Sequence, residues 1–132
     1  MTEEYARLIL RDKVVAFLQS DMAKRMAAAQ EKQRLFKEQP FVLSVSASLL
    51  DEKFPEEEKV LIQGIIDVYF EEDDEITILD YKTDRVDTLL ELKRRYKTQL
   101  DYYEEAISQL TGKKVKEKVL YSFALMDQIS WK

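Results

Sequence analysis

The sequence predicts an α/β fold with the element order ααβββαβ. Three observations carry this prediction. Residues 3–37 are rich in good helix formers and contain no Gly or Pro. Two runs rich in Ile and Val follow, "VLIQGIIDVYF" (60–70) and "ITILDYK" (76–82), separated by the acidic "EEDDE". A second helical segment then leads to a last apolar run, "VLYSFALM".

The composition is that of one globular domain, residues 1–132. Hydrophobic residues make up 45% and charged residues 36%, which allows a real core and argues against disorder. Only two glycines and two prolines are present, so we expect long elements and few tight turns. No apolar run approaches the length of a membrane helix and no signal-peptide pattern is seen, so we expect a cytoplasmic location and no membrane partner.

The residue types that are missing restrict the chemistry. Without cysteine the chain has no disulfide, iron–sulfur cluster or thiolate zinc site. Without histidine, acid–base catalysis would have to use carboxylates, lysine, tyrosine or metal-bound water. The net charge of −5 argues mildly against a domain whose whole task is to bind a phosphate backbone.

The helical start of the chain is expected to divide in two and to end at a proline. Ser20, before "DMAKRMAAAQ", is a good N-cap for a second helix. Pro40 lacks an N–H and restricts Gln39 away from the helical region, so we expect the helical stretch to end there. The alternating segment "FVLSVSASLL" (41–50) then predicts the first strand.

The later elements are bounded by residues typical of turns and caps. The acidic "EEDDE" predicts a β-hairpin turn. A helix is expected from Thr88 to Leu110, irregular over 94–97, with Asp87 as N-cap and Gly112 as its stop. A basic loop, "GKKVKEK", leads to the final strand "VLYSFALM".

The hairpin groups three charged side chains. A turn centred on Asp73–Asp74 places Asp67 directly opposite Asp80 on the neighbouring strand. Lys82 lies two residues beyond Asp80 and therefore shares its face. The apolar residues expected on this face are Ile65, Ile76 and Ile78.

Two opposed carboxylates repel each other in a partly apolar setting. A Mg²⁺ ion, which prefers carboxylate oxygens, would remove the repulsion, activate water and stabilise charge on a phosphoryl oxygen, and Lys82 would assist beside it. The alternative is that Asp67 and Asp80 are separately solvated and paired with Lys82 or Arg85. The position of Asp67 in the middle of a strand, where an unpaired charge is costly, favours the functional interpretation.

An Asp on one strand followed by Asp-x-Lys on the next resembles the PD-(D/E)XK nuclease superfamily. That resemblance implies a restriction-endonuclease-like core, a mixed β-sheet flanked by helices. Within the superfamily the chain is most similar to the RecB-type branch, through "GIIDVYF", "ILDYKTD" and "QLDYYEEAI" in this order. It resembles most the C-terminal nuclease domain of the A-type component in the AddAB helicase–nuclease family.

The resemblance implies roles for four residues of the hairpin. Asp67 and Asp80 correspond to metal ligands, and the main-chain carbonyl of Tyr81 to a third. Lys82 corresponds to the catalytic lysine.

Three further residues match motifs of the family. Gln99 and Tyr103 correspond to the motif helix, where they support the site or contact DNA. Glu38, in "FKEQPF", matches a glutamate that precedes a Pro-Phe strand. Ordinary helix packing for Gln99 and Tyr103 and a solvated junction for Glu38 are the alternatives. Gly64 allows close packing beneath the site or marks a bulge.

The implied function is that of a Mg²⁺-dependent DNA exonuclease domain, with Mn²⁺ as a possible substitute, acting in double-strand-break repair and recombination. It would hydrolyse phosphodiester bonds with a metal-activated water. The implied partners are a single DNA strand delivered by helicase domains of the same parent chain, and a second, AddB-like polypeptide. The implied location is the bacterial cytoplasm, in association with the nucleoid.

Departures from the family pattern leave a second interpretation open. The family histidine on an earlier helix and the helicase phosphate loop are missing, so the chain is expected to be a C-terminal fragment of a longer helicase–nuclease polypeptide. The lack of cluster-binding cysteines favours the A-type component. The alternative is a catalytically silent nuclease-fold module that binds DNA or a partner, and a purely structural domain comes third. The basic segments "LKRRYK" and "GKKVKEK" either contact phosphates or are solvated faces.

Overall fold

The computed structural model describes residues 3–132, with side chains from residue 10 onward. Over this range the chain forms three α-helices and a five-stranded mixed sheet, in the order ααβββαββ. The elements are α1 (Glu3–Leu18), α2 (Asp21–Glu31), β1 (Leu35–Ser46), β2 (Lys59–Glu72), β3 (Glu75–Lys82), α3 (Leu89–Thr111), β4 (Val115–Ser122) and β5 (Asp127–Trp131). A short 3₁₀ turn, Ala47–Leu49, follows β1. No helix in the described part is long and apolar enough to cross a membrane.

The strands lie side by side in chain order, β1 to β5. Neighbours are antiparallel except β3 and β4, which are parallel because α3 carries the chain back across the sheet between them. The predicted mixed sheet flanked by helices is therefore confirmed.

Each face of the sheet is covered by helices. Helix α3 packs on one face through a cluster that includes Leu92, Leu100, Tyr103 and Ile107. The other face packs against α1 and α2, with Phe17, Met22, Met26 and Ala29 over Phe70, Leu79 and Val119. These two layers bury β3 on both sides, so every residue from Ile76 to Asp80 is buried.

Several predicted boundaries are confirmed. Ser20 caps α2, with its hydroxyl accepting a hydrogen bond from the Ala23 N–H at 3.2 Å. The β2–β3 hairpin turns at Asp73 and Asp74, whose φ angles of 51° and 66° are those of a tight hairpin turn. Gly112 ends α3 at φ 69°, a conformation that costs glycine little.

The predicted order was one strand short. The apolar run "VLYSFALM" continues only to Ser122 as a strand, and the chain then turns at Met126, where φ is 52°. The strand β5, "DQISW", follows and pairs antiparallel with β4. Its sequence is short and largely polar, so its strand character comes from pairing with β4 rather than from its own pattern.

The prediction that Pro40 ends the helical stretch was wrong. Helix α2 ends at Glu31, and the chain reverses through Gln33 at φ 58° before β1 begins at Leu35. Pro40 lies inside β1, which is the edge strand of the sheet. An edge strand tolerates proline because one side of its backbone has no ladder to complete.

The start and middle of α3 also differ from expectation. Thr88, and not Asp87, is the N-cap, with its hydroxyl accepting from the Glu91 N–H at 3.1 Å. The helix is continuous through residues 94–97, where an irregularity was expected. Thr88 is the cap because its backbone is extended, with φ −140° and ψ 154°, and its hydroxyl reaches the N–H three residues on.

A switch of faces interrupts the β1–β2 ladder beside the candidate site. The pairs Lys37–Val68 and Gln39–Ile66 flank a position where Glu38 and Asp67 meet, and Glu38 has a φ of 52°. Tyr69 and Ile66 are three residues apart, yet both belong to the cluster under α3, which regular alternation forbids.

This switch corrects one detail of the predicted face. Ile65 was expected beside Asp67 on the apolar face, but it is 58% exposed, and Ile66 is buried in its place. Ile76 and Ile78 are buried as expected.

Candidate functional site

Asp80 and Lys82 lie at the end of β3, between the sheet and α3. Asp80 is only 2% exposed, and Lys82 Nζ lies 2.8 Å from Asp80 Oδ2. Among the described residues, Asp80 Oδ2 has no partner with hydrogen-bond geometry. A carboxylate oxygen is thus buried beside one ammonium group and retains unused acceptor capacity.

Asp67 approaches Asp80 from β2. The regular β2–β3 ladder ends at the pair Val68–Leu79, in the register that was predicted. Beyond that pair, the Tyr81 N–H donates to Asp67 Oδ2 at 2.9 Å. The hydrogen-bond acceptor here is therefore a side-chain carboxylate and not a main-chain carbonyl. Burial and then a hydrogen bond with Asp67 raise the pKa of Asp80 to about 7, and the charge of Lys82 only partly offsets this.

Lys82 is held by three groups. Besides the Asp80 carboxylate, its ammonium donates to Gln99 Oε1 at 3.1 Å and lies 3.9 Å from the centre of the Tyr96 ring. Its side chain is 16% exposed. A lysine with this many contacts loses the rotamer freedom that it would have at the surface.

Tyr103 closes the site from α3. It is 5% exposed, and its ring meets that of Phe41 edge to face at 5.4 Å. Burial, followed by the charges of Asp80 and Asp67, raises its pKa to about 12. A Cβ at Gly64 would come within 2.8 Å of the Phe41 ring, so this glycine allows the close packing that was one of its two predicted roles.

Glu38 lies on the solvent side of the site. It is exposed and, together with Asp67 and Tyr81, lines a cavity of about 280 Å³. The Tyr81 side chain points away from the carboxylates toward α1, with its ring 5.3 Å from that of Phe17. All of the predicted site residues therefore gather around the end of β3, with Glu38 at the margin.

The donor set suits a hard divalent cation. Within the part of the chain with described side chains, no three acidic side chains cluster closely enough to form a ligand cage. Two touching carboxylates, one with a buried oxygen that has only the Lys82 ammonium beside it, nevertheless match Mg²⁺, which typically takes one or two protein carboxylates and keeps several waters. Asp67, Asp80 and the Tyr81 carbonyl are the groups that would hold it.

Tyr96 and Asp84 also belong to this neighbourhood, although the sequence analysis gave neither a role in the site. The Tyr96 hydroxyl donates to Asp84 Oδ2 at 2.7 Å, and Arg95 Nη1 donates to the same oxygen at 3.3 Å. The signal was available for Tyr96, because it precedes Gln99 by three residues and so lies on the same helical face.

Several basic residues of the two segments form ion pairs within the domain. Lys113 and Lys116 pair with Glu71 and Glu72 at 2.7 and 3.0 Å, and Lys118 is buried between acids of α3. In "LKRRYK", Arg95 and Lys97 also form ion pairs. Most lysines of "GKKVKEK" are therefore neither free to bind phosphates nor simply solvated, because they pair with acidic side chains of the domain.

Comparisons with known proteins agree with the geometry. Residues 1–128 match the PD-(D/E)XK nuclease superfamily. Relatives named as the A-type component of an ATP-dependent helicase/nuclease, from Clostridium botulinum strains Loch Maree and Alaska E43, are 42% and 44% identical over 98% of this chain. The chain spans only about a tenth of their length, 10% and 11%.

A solved structure supports the fold. The crystal structure of SSO0001 superposes with a TM-score of 0.51 at 13% identity, covering 92% of this chain and 56% of that one. At this identity the likeness concerns the fold alone, and it agrees with a restriction-endonuclease-like core.

Proposed function

We propose that this chain, which belongs to the PD-(D/E)XK nuclease superfamily, is a Mg²⁺-dependent DNA exonuclease domain of an AddAB-type helicase–nuclease. The observation that carries the proposal is the convergence of Asp67, Asp80 and Lys82 on one buried point at the end of β3. Purely structural charges at this depth would be expected to be fully paired.

Each side chain has a definable task in phosphodiester hydrolysis. When bound, a divalent cation supplies positive charge that stabilises the phosphoryl oxygens and makes water a better nucleophile. Asp67 and Asp80 would hold that cation, and Mn²⁺ would suit the same oxygens. Lys82 places a compact positive charge beside the scissile phosphate, where it offsets the negative charge that develops in the transition state.

The helix α3 supplies the supporting groups. Gln99 accepts a hydrogen bond from Lys82 and so fixes the direction of its ammonium. Tyr103 seals the inner wall, which excludes water from the carboxylates and strengthens their attraction for a cation. Glu38 lies at the open side, where it either adds a ligand through water or contacts the DNA strand.

The proposed setting follows from the relatives. Their names describe the A-type component of an ATP-dependent helicase/nuclease, of which this chain matches about a tenth. We place the chain's nuclease activity downstream of helicase domains of the same polypeptide, which deliver single-stranded DNA, and beside an AddB-like polypeptide. Its work would be double-strand-break processing and recombination in the bacterial cytoplasm, in association with the nucleoid.

The test measures digestion of linear DNA by the intact protein in Mg²⁺. Asp80→Asn and Lys82→Ala are each expected to lower the rate by about 100-fold or more, which is the loss seen when one transition-state group is removed. Lys93→Ala, which changes a lysine of α3 lying over the Trp131 ring, is the matched control and should digest normally. Digestion at the parental rate by both site variants would refute the assignment.

A silent module that binds DNA or a partner is the second candidate. The lack of a three-acid cluster among the described side chains, and the engagement of Asp67 Oδ2 by the Tyr81 N–H, favour it. Calorimetric titration with Mn²⁺ separates the two. The nuclease requires a saturable heat that disappears in Asp80→Asn, whereas a silent module gives no heat above that of the variant.

A further inference from the structure

We propose that Tyr96 is a positioning residue for the reaction, one whose ring holds the Lys82 ammonium group in place beside Asp80. The inference deepens the proposed nuclease function and rests on it for its kinetic consequence. The geometry that carries it, however, is observed without reference to any reaction.

The ring and the ammonium group are in direct contact. Lys82 Nζ lies 3.9 Å from the centroid of the Tyr96 ring, well inside the range of about 6 Å over which cation–π attraction acts. The same ammonium group also contacts Asp80 at 2.8 Å and Gln99 at 3.1 Å, so the ring acts together with one charged and one polar partner.

The ring is itself fixed at its far end. The Tyr96 hydroxyl donates to Asp84 Oδ2 at 2.7 Å, and this bond lowers the pKa of Asp84, with further help from Arg95. Arg95 also pairs with Glu91 at 2.8 Å one helical turn earlier. Asp84 follows Lys82 by two residues. Tyr96 therefore contacts both the lysine, through its ring, and the segment just after β3, through its hydroxyl.

Tyr96 lies on the same face of α3 as the two motif residues Gln99 and Tyr103. Tyr96, Gln99 and Tyr103 are spaced by three and four residues, which places them on one face of the helix. Gln99 directs the ammonium group by a hydrogen bond and Tyr103 is buried against Phe41, whereas Tyr96 supplies the surface on which the ammonium rests. A flexible lysine side chain is thereby held in one arrangement before substrate arrives.

The expected consequence is a loss of turnover rather than of binding. A lysine that samples several rotamers spends only part of its time beside the phosphate, which lowers kcat and leaves the affinity for DNA unchanged. Tyr96→Leu removes the ring and keeps apolar bulk. Tyr96→Phe keeps the ring and removes only the bond to Asp84.

The kinetic experiment compares these variants in the intact protein digesting linear DNA. We expect kcat to fall about tenfold in Tyr96→Leu, which corresponds to a cation–π contact of about 1.4 kcal/mol, with KM unchanged. Tyr96→Phe should retain most of the parental kcat. Tyr102→Leu, a neighbouring tyrosine of α3 outside the site, is the matched control.

A parental kcat in Tyr96→Leu would overturn the positioning role while leaving the nuclease assignment intact. Equal losses in Tyr96→Leu and Tyr96→Phe would also overturn it, because they would assign the effect to the Asp84 bond and not to the ring.

A second measurement is independent of activity. A proton above an aromatic ring resonates upfield, so the ε-methylene protons of Lys82 should be shifted upfield in the NMR spectrum of the parent and of Tyr96→Phe. The shift should vanish in Tyr96→Leu. Lys82 protons at random-coil positions in the parent would refute the contact even if the protein digests DNA. The upfield shift in a protein that digests no DNA would retain the contact and reject the proposed function.

Discussion

At the turn end of the β2–β3 hairpin, half-buried carboxylates are matched by cations. Arg25 forms a two-point contact with Glu72 and reaches Glu117, and Lys116 adds a second partner to Glu72 at 3.0 Å. The hydrogen bond from Arg25 is the main reason that the pKa of Glu72 is lowered. This end of the sheet joins α2 to the hairpin and β4 by charge pairing.

At the opposite end of β3 the balance is reversed. Asp67 and Asp80 touch, one lysine serves the pair, and burial raises the pKa of Asp80 to about 7. The same strand thus begins in a neutralised network and ends in a pair of carboxyl groups that share one lysine. We therefore expect the first network to contribute to the stability of the fold, and the second is the cation site proposed above.

The largest expected effect on stability comes from breaking the neutralised end. Arg25→Met would leave Glu72 with Lys116 and would remove from Glu117 the cation that it pairs with. Because both side chains are about a quarter exposed, we expect a loss of about 2–3 kcal/mol, less than for a fully buried pair. Urea unfolding measures it. Lys24→Met, which removes a cation from an exposed pair, is the control and should change stability by less than about 0.5 kcal/mol.

Lys118 is a second buried lysine, and its ion pairs can be compared with those of Lys82. Lys118 is 3% exposed and contacts Asp101 and Glu104 of α3 at 2.9 and 2.6 Å, so it has two carboxylates where Lys82 has one. Lys118→Met should cost about 1–2 kcal/mol by urea unfolding, because the two acids left behind are partly exposed and regain water. The exposed Lys97→Met, which also faces Asp101, should be nearly neutral. Equal costs in the two variants would show that burial does not govern these pairs.

Mn²⁺ should stabilise the protein through the Asp67–Asp80 end of β3 and not through the Glu72 network at the hairpin turn. At a Mn²⁺ concentration about five times the dissociation constant, the parent should gain about 1 kcal/mol of stability from binding to the folded state. Asp80→Asn should lose this gain, and Glu72→Gln should retain it in full. Thermal unfolding with and without Mn²⁺ measures the difference. A gain preserved in Asp80→Asn would place the metal elsewhere.

The smallest effect concerns acid stability. The pKa of Glu72 is lowered in the folded state from its ordinary value of 4.5, so its contribution is present above that pH and is lost as pH falls through the folded pKa. Glu72→Gln should therefore be less stable than the parent near neutral pH by about 1 kcal/mol, and the two should converge in acid. Urea unfolding at a series of pH values measures the difference in unfolding free energy between the two proteins. A difference that stays constant across the acid range would contradict this role.

Much of the site could be predicted because strand periodicity is local. The alternation of β2 and β3 and the Asp73–Asp74 turn together set the register that brings Asp67 to Asp80, and the observed pairing follows it. Gln99 and Tyr103 could be named because four residues make one helical turn. The metal, catalytic and supporting roles of these residues remain predictions that the proposed variants test.

Other features depended on contacts between distant segments. Pro40 is an effective helix breaker, but whether it ends a helix or lies on a sheet edge depends on which strand pairs with β1. The strand β5 has little intrinsic preference and forms because β4 offers it an edge. Sequence patterns near either segment contain no information about those partners.

By itself the sequence determined the α/β class, the hairpin register, the Ser20 and Gly112 helix ends and the pair of opposed acids, because each depends on periodicity or backbone preference over a few residues. Only the tertiary structure decided which carboxylates are neutralised. Arg25, Thr77 and Glu117 meet across forty or more positions of sequence, as do Lys113 and Glu71. It also decided the face switch at Glu38 and Asp67. The physical reason is that burial and charge pairing are properties of packed surfaces, which exist only when distant segments meet.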